Sequence, residues 1–209
     1  MINSWDKLTV GKYQEIKEII NNSTDEYEMR TEILSILTDI DVEDLLELPI
    51  GRYNHLLQNM NFLLEERRPK MVNTKYVLEG QTFEVMLNVE KMTAAQFIDY
   101  QNYAKDVDKN LINILTVFLI PKGHKYNEGY DITEVARIIK DNMSVNDAAA
   151  LSAFFLECYK ALLTTTVRYL TRKMKRLAKK EKNKEVVEKM MEAIAHLEKS
   201  GNGLVSLTE

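Results

Sequence analysis

The chain has 209 residues, 45% hydrophobic and 29% charged, with a net charge of −4. That length supports one domain or one and a half, with enough core to fold without staples, and a single cysteine, Cys158, excludes an intramolecular disulfide and fits a reducing compartment. The Met1-Ile-Asn-Ser-Trp-Asp6 start has no basic stretch leading into an apolar one, which argues against a secretory signal, and the most apolar run, Leu111 to Ile120, is too short to span a bilayer.

Ten methionines against seven glycines and three prolines favour helix. Thr9 is placed to cap a helix from Val10 to Asn21, with Tyr13, Ile16, Ile19 and Ile20 on its apolar side. A second helix, about Asp25 to Thr38, carries Met29, Ile33, Leu34 and Leu37; Asp41 opens a short third, and Pro49 begins a fourth through Tyr53, Leu56, Leu57, Met60 and Leu64. From Lys75 to Val89 the period changes from helical to two. Tyr76 and Leu78 alternate with Val77 and Glu79, Gly80-Gln81 interrupts, and Phe83, Val85 and Leu87 follow, which predicts a β-hairpin. An isolated hairpin is marginal in water, so it must pack on helices or pair with a strand of another chain.

Thr93-Ala-Ala-Gln96 fits a capping box ahead of a helix bearing Phe97, Tyr100, Tyr103, Ala104 and Val107. Leu111 to Ile120 reads as a second helix or a buried strand, and Pro121 to Tyr130 as a loop. Asp131 and Thr133 can start another helix. Ser144-Val-Asn-Asp147 launches a long one through Leu151, Phe154, Phe155, Cys158, Leu162, Val167, Leu170 and Met174, and the last amphipathic stretch, Val186 to Leu197, stops at Gly201-Asn-Gly203. The expected fold is mainly α, a multi-helix bundle with a small central β-hairpin. It comprises an N-terminal helical region (1–70), the hairpin (71–90), central and long C-terminal helices (91–183), and an amphipathic helix with a frayed tail (184–209).

Three helix starts share a pattern: Leu8-Thr-Val-Gly-Lys-Tyr13, Leu48-Pro-Ile-Gly-Arg-Tyr53 and Met92-Thr-Ala-Ala-Gln-Phe97. The spacing lies in the range of helical repeats, but efficient helix N-termini also converge on it. In each, the residue before the cap can staple against the aromatic beyond it.

No catalytic constellation emerges. His55, His124 and His196 lack metal-ligand spacing, and the phosphate-binding and nucleophile-elbow motifs are missing. The acids Asp39, Asp41, Glu43 and Asp44 lack the glycine and terminal glutamate of a calcium loop, so they read as helix caps. Cys158 reads as an apolar filler rather than a reactive thiol. The expectation is a protein that is not an enzyme and takes no cofactor or metal.

Charge is segregated. Asp25 to Glu47 holds nine acids and one base, Arg30, whereas Arg168 to Lys184 holds nine bases and one acid, Glu181. Arg168, Arg172, Lys175, Arg176, Lys179 and Lys180 form a candidate basic surface, to face acids or, less favoured, a phosphate backbone. Tyr76, Leu78, Phe83, Val85 and Leu87 form a candidate assembly surface.

Three stretches carry a family resemblance: Leu8 to Ile16, Val117 to Asp131, and Met143-Ser-Val-Asn-Asp-Ala148 leading into the Phe154-Phe155 helix. In them the chain resembles small helical virion and assembly proteins of tailed phages that infect Bacteroides, including the crAss-like group. The resemblance implies a structural protein of the portal vertex or tail, found in the virion or host cytoplasm, that forms homo-oligomers and binds other virion or assembly proteins. The alternatives are a cytosolic tail-assembly chaperone for a helical client and a nucleic-acid-binding accessory protein using residues 168–184.

Overall fold

The computed structural model describes residues 1–67, 70–88, 91–178, 186–192 and 195, with 108, 159–167 and 178 described by their backbone alone. The protein is mainly helical with a minor β element, as the periodicities predict, and that element is a three-stranded antiparallel sheet, one strand more than the expected hairpin. It divides into two compact units, Met1–Ser152 and Ala153–Glu209, and the division falls inside the longest helix.

In the first unit, α1 (Val10–Asn22) starts where Thr9 accepts a hydrogen bond from the Lys12 N–H. Helix α2 (Glu26–Thr38) is capped by Asp25, which accepts from Tyr27 and Glu28. It ends at Asp39 in the left-handed region, φ 56°, a conformation that aspartate tolerates better than most residues. The short α3 (Val42–Leu46) has Asp41 at its cap position, yet the carboxylate makes no capping bond. The helix expected from Pro49 to Leu64 is broken. Helix α4 (Ile50–Gln58) stops at Asn59, whose side-chain amide donates to the His55 carbonyl, and a 3₁₀ turn (Asn61–Leu64) follows. Asparagine competes in this way with the helical ladder. Trp5 stacks edge-on against Phe62 (5.4 Å) and Tyr13 (6.0 Å), within the cluster that contains Leu8, Ile16, Ile33, Leu37, Phe62 and Val145.

Strands β1 (Lys75–Leu78) and β2 (Gln81–Val85) make the expected hairpin. Its turn is Glu79-Gly80 rather than Gly80-Gln81. Both turn residues have positive φ, 50° and 77°, the twist that matches a two-residue hairpin. The Glu79 carboxylate binds Arg137, which also holds Glu134 and Asp141. The hairpin does not stand alone. The apolar run after residue 107 resolves into both structures its sequence allowed: α6 (Val107–Phe118), then β3 (Leu119–Pro121), which pairs with β2 through Phe83↔Pro121, Glu84↔Ile120 and Val85↔Leu119.

Helix α5 (Ala94–Tyr103) carries the full capping box, and α7 (Ile132–Asn142) is capped by Asp131. The loop between β3 and α7 is folded on itself. Tyr126 donates to Asp99 at 2.8 Å, the Asn127 N–H donates to the Tyr130 hydroxyl, and His124 lies edge-on to Tyr130. Burial, then Asp99, pushes the Tyr126 phenol well above its ordinary range.

The start of α8 (Val145–Ala178) is laced to the start of α1: the Val10 N–H donates to the Met143 carbonyl at 3.0 Å, and the Val145 N–H to the Leu8 carbonyl at 2.8 Å. Close packing here explains one small residue of the shared helix-start pattern. A Cβ on Gly11 would lie 2.8 Å from Lys140 Cγ and 3.1 Å from the Lys140 carbonyl oxygen, whereas one on Gly51 would meet nothing within 4 Å. The same pattern thus serves tight packing in one place and an exposed helix in another. In the second unit, Phe154 and Phe155 pack edge-to-face at 5.2 Å. Residues 186–192 are helical, as their periodicity predicts.

Candidate functional site

The expected assembly residues fall on two sides of the sheet's chemistry. Period-two alternation sends Tyr76, Leu78 and Phe83 to one face, where they are 7%, 7% and 0% exposed. Val85 is half-buried, and Leu87 lies beyond the end of β2. This corrects the sequence reading for Tyr76, Leu78 and Phe83: apolar alternation marks the face a strand turns to its own core, and these three side chains are spent there, whereas Leu87 is exposed. The outer face carries Lys75 and Val77, the latter 69% exposed, and Lys75 pairs across the strands with Glu84 at 3.3 Å.

The backbone at the sheet's two borders differs. The Val85 N–H donates to the Thr74 carbonyl at 3.0 Å, so in the antiparallel alternation Thr74, Tyr76 and Leu78 face β2. The N–H and C=O groups of Lys75 and Val77 therefore point away from the sheet. On the opposite border the same alternation turns Leu119 and Pro121 outward. There the Leu119 N–H is taken by the Leu115 carbonyl, Pro121 has no N–H, and its carbonyl accepts from His124 at 3.1 Å. The β3 border is closed to a further strand. Among the described residues, no strand pairs with the outer side of β1.

Each unit also carries a charged feature of its own. A groove of about 630 Å³ lies along α1 and α2, with Glu15, Glu18, Glu28 and Glu32 among its lining and Ile19 and Ile36 at its apolar parts. In the second unit, Arg168, Arg172, Lys175 and Arg176 are exposed on α8, while Lys179 and Lys180 lie outside the described residues, as do Val89 and the tail from Gly201.

A polar node that sequence reasoning missed sits at the head of α8. Lys70 Nζ lies 3.1 Å from both Asp6 Oδ1 and Asp147 Oδ1, the Asn146 amide donates to Asp6, and the Ser144 hydroxyl donates to Asp147 at 2.6 Å. Ser144 and Asp147 therefore form half of a capping box at the start of the helix that this stretch is expected to launch. The Asp147 N–H donates to Ser144, but the carboxylate takes the hydroxyl instead of reaching back to the backbone. The Asn146 hydrogen bond, then Lys70, holds the Asp6 carboxyl below its ordinary value. Burial pulls the Lys70 ammonium down, but Asp6 and Asp147 outweigh it and hold the group above its ordinary value. A lysine fixed in its charged form is a latch and not a general base. Because the folded Asp6 pKa is depressed, its stabilisation is present above the ordinary aspartate pKa and disappears as pH falls through the folded value. The stability advantage of the natural chain over Asp6→Asn should accordingly shrink between about pH 5 and about pH 2, as read by urea denaturation across that range.

Neither a family of known proteins, nor a curated relative, nor a solved structure matches this chain.

Among the described residues, no group of three or more His, Cys, Asp or Glu is arranged to hold a metal ion. No described helix is long and apolar enough to cross a membrane. Burial, then Glu157, raises the Cys158 thiol pKa, which lowers its thiolate fraction and its reactivity.

Proposed function

We propose that this chain is a non-catalytic structural protein of a tailed-phage virion, working at the portal vertex or tail through protein–protein assembly. The observation that carries the reading is the asymmetry of the sheet. One border is closed by Pro121 and the end of α6, while the other offers the outward backbone groups of Lys75 and Val77. Natural proteins usually cover, kink or shorten such an edge; β1 is short at four residues, yet its outward backbone groups are uncovered among the described residues, which suits it to docking by strand addition. Charge segregation supports the same reading: an acid-lined groove in the first unit and an exposed cationic run in the second are suited to steering partners into register. The three stretches that resemble phage assembly proteins supply the setting. Purified particles analysed by mass spectrometry should contain the chain at a stoichiometric level. Its presence in infected-cell lysate but absence from particles would replace this reading with that of a cytosolic assembly chaperone.

The exposure of Arg168, Arg172, Lys175 and Arg176 favours one second reading, an accessory protein that contacts nucleic acid. Under it, affinity for duplex DNA falls steeply between about 50 and about 200 mM salt and drops further in an Arg172→Glu, Arg176→Glu variant. A flat salt response eliminates it.

A further inference from the structure

We infer that β1 is a self-recognition edge, its occupant being β1 of a second copy of this chain in antiparallel, two-fold pairing. The inference rests on the reading of the chain as an assembly protein and specifies the partner of that edge.

The choice of a second β1 follows from what a copy can offer. Continuation of the sheet head to tail would need β1 of one copy to meet β3 of the next. The β3 border has no free N–H to give: the Leu119 N–H is bonded to Leu115 and Pro121 has none. Among the described residues, the strand border that remains open on any copy is β1 itself, so self-pairing through strands must be isologous.

The register follows from face parity. Directly opposed residues in an antiparallel pair project to the same face. Tyr76 opposite Tyr76 of the second copy continues the inner face. It also sets Lys75 of each copy against Val77 of the other, so that their outward N–H and C=O groups satisfy one another. On the outer face, the methylene stem of each Lys75 then covers the exposed Val77 of the other copy while its ammonium stays with Glu84. A lysine on an edge strand ordinarily discourages pairing. Here its charge is balanced within the hairpin, and no like charges stand directly opposed.

Val77→Pro tests the edge with little cost to the fold. The Val77 N–H points away from β2, so proline removes no bond of the hairpin, and an edge strand accepts it at such a position. The full-length natural chain should self-associate in sedimentation velocity as its concentration rises, and the amides of Lys75 and Val77 should gain protection from hydrogen exchange with that rise. Val77→Pro should weaken association at least about tenfold, the loss expected for one or more backbone hydrogen bonds, and Val77→Thr, which keeps the N–H, should retain it.

A natural chain that stays monomeric up to about 1 mM overturns the inference. So does association that leaves those two amides unprotected, or Val77→Pro associating as tightly as the natural chain. Protection that arises only when another virion protein is added also overturns it, because it assigns the edge to a different partner. If Val77→Pro loses its circular-dichroism signature of folding, the exchange result on the natural chain decides alone. Absence of the chain from particles would remove the virion reading and leave these measurements standing.

Discussion

Phe83→Ala should lower the unfolding free energy by about 3–5 kcal/mol, the cost typical of removing a fully buried aromatic ring. Phe83 is 0% exposed and sits at the centre of β2, opposite Tyr76 on one side and Pro121 on the other. Truncation therefore opens a cavity bordered by both neighbouring strands. Strands held by a three-residue partner such as β3 have few other contacts with which to collapse into it. The measurement is urea denaturation followed by the fluorescence of Trp5, the chain's one tryptophan. The midpoint should fall while the denaturant dependence stays the same, because the surface exposed on unfolding barely changes. Val77→Thr, a change on the exposed face of the same hairpin, should stay within about 0.5 kcal/mol of the natural chain. A loss below about 1 kcal/mol for Phe83→Ala would mean that this ring is not the core residue its burial makes it.

That contrast explains why the fold was more legible than the site. Helix existence follows from residues that act locally. Thr9, Thr93 and Asp131 each cap the element their position predicts, because a short side chain beside a periodic run satisfies N–H groups only a few residues away; Asp25, expected inside its helix, caps it in the same way. Hairpin alternation is equally local. What alternation cannot say is which of two faces is spent internally, and the assembly residues were placed on the wrong one: Tyr76, Leu78 and Phe83 serve the chain's own core.

The edge that remains is a backbone property of Lys75 and Val77. It is decided by β3, a strand more than thirty residues downstream in a run that reads as helix or buried strand until Phe83 and Pro121 are known to pair. Pro121 was the available signal. A proline at the end of an apolar run is compatible with a closed edge as well as with a loop. The node at Lys70 had no such signal, since Asp6, Lys70 and Asp147 are brought together by tertiary packing across most of the first unit. The charge segregation, by contrast, was legible from the start, because exposed runs of one sign need no partner to be recognised.

Gln96→Leu should cost about 2–3 kcal/mol even though it makes the core more apolar. Gln96 is 1% exposed, and both ends of its amide are engaged. The oxygen accepts from the Thr93 N–H at 3.0 Å, which completes the capping box of α5, and the nitrogen donates to the Val117 carbonyl at 3.1 Å, in the last turn of α6. Leucine of similar volume removes both bonds at once and leaves a buried helix-end carbonyl without its donor, the costly half of the asymmetry between a lost bond and an unmade one. Gln96→Glu separates the two ends. The new carboxylate can still accept from Thr93, but it confronts the Val117 carbonyl with charge instead of a donor, so at neutral pH this variant should be less stable than Gln96→Leu. Burial raises the folded pKa of such a carboxyl above its unfolded value. Its protonated form can donate to Val117, so the variant should regain stability as pH falls through that raised value and lose it as pH rises. A Gln96→Glu chain whose stability tracks the natural protein at every pH would show that the α5–α6 junction does not depend on this amide, and that the capping interaction alone explains the glutamine.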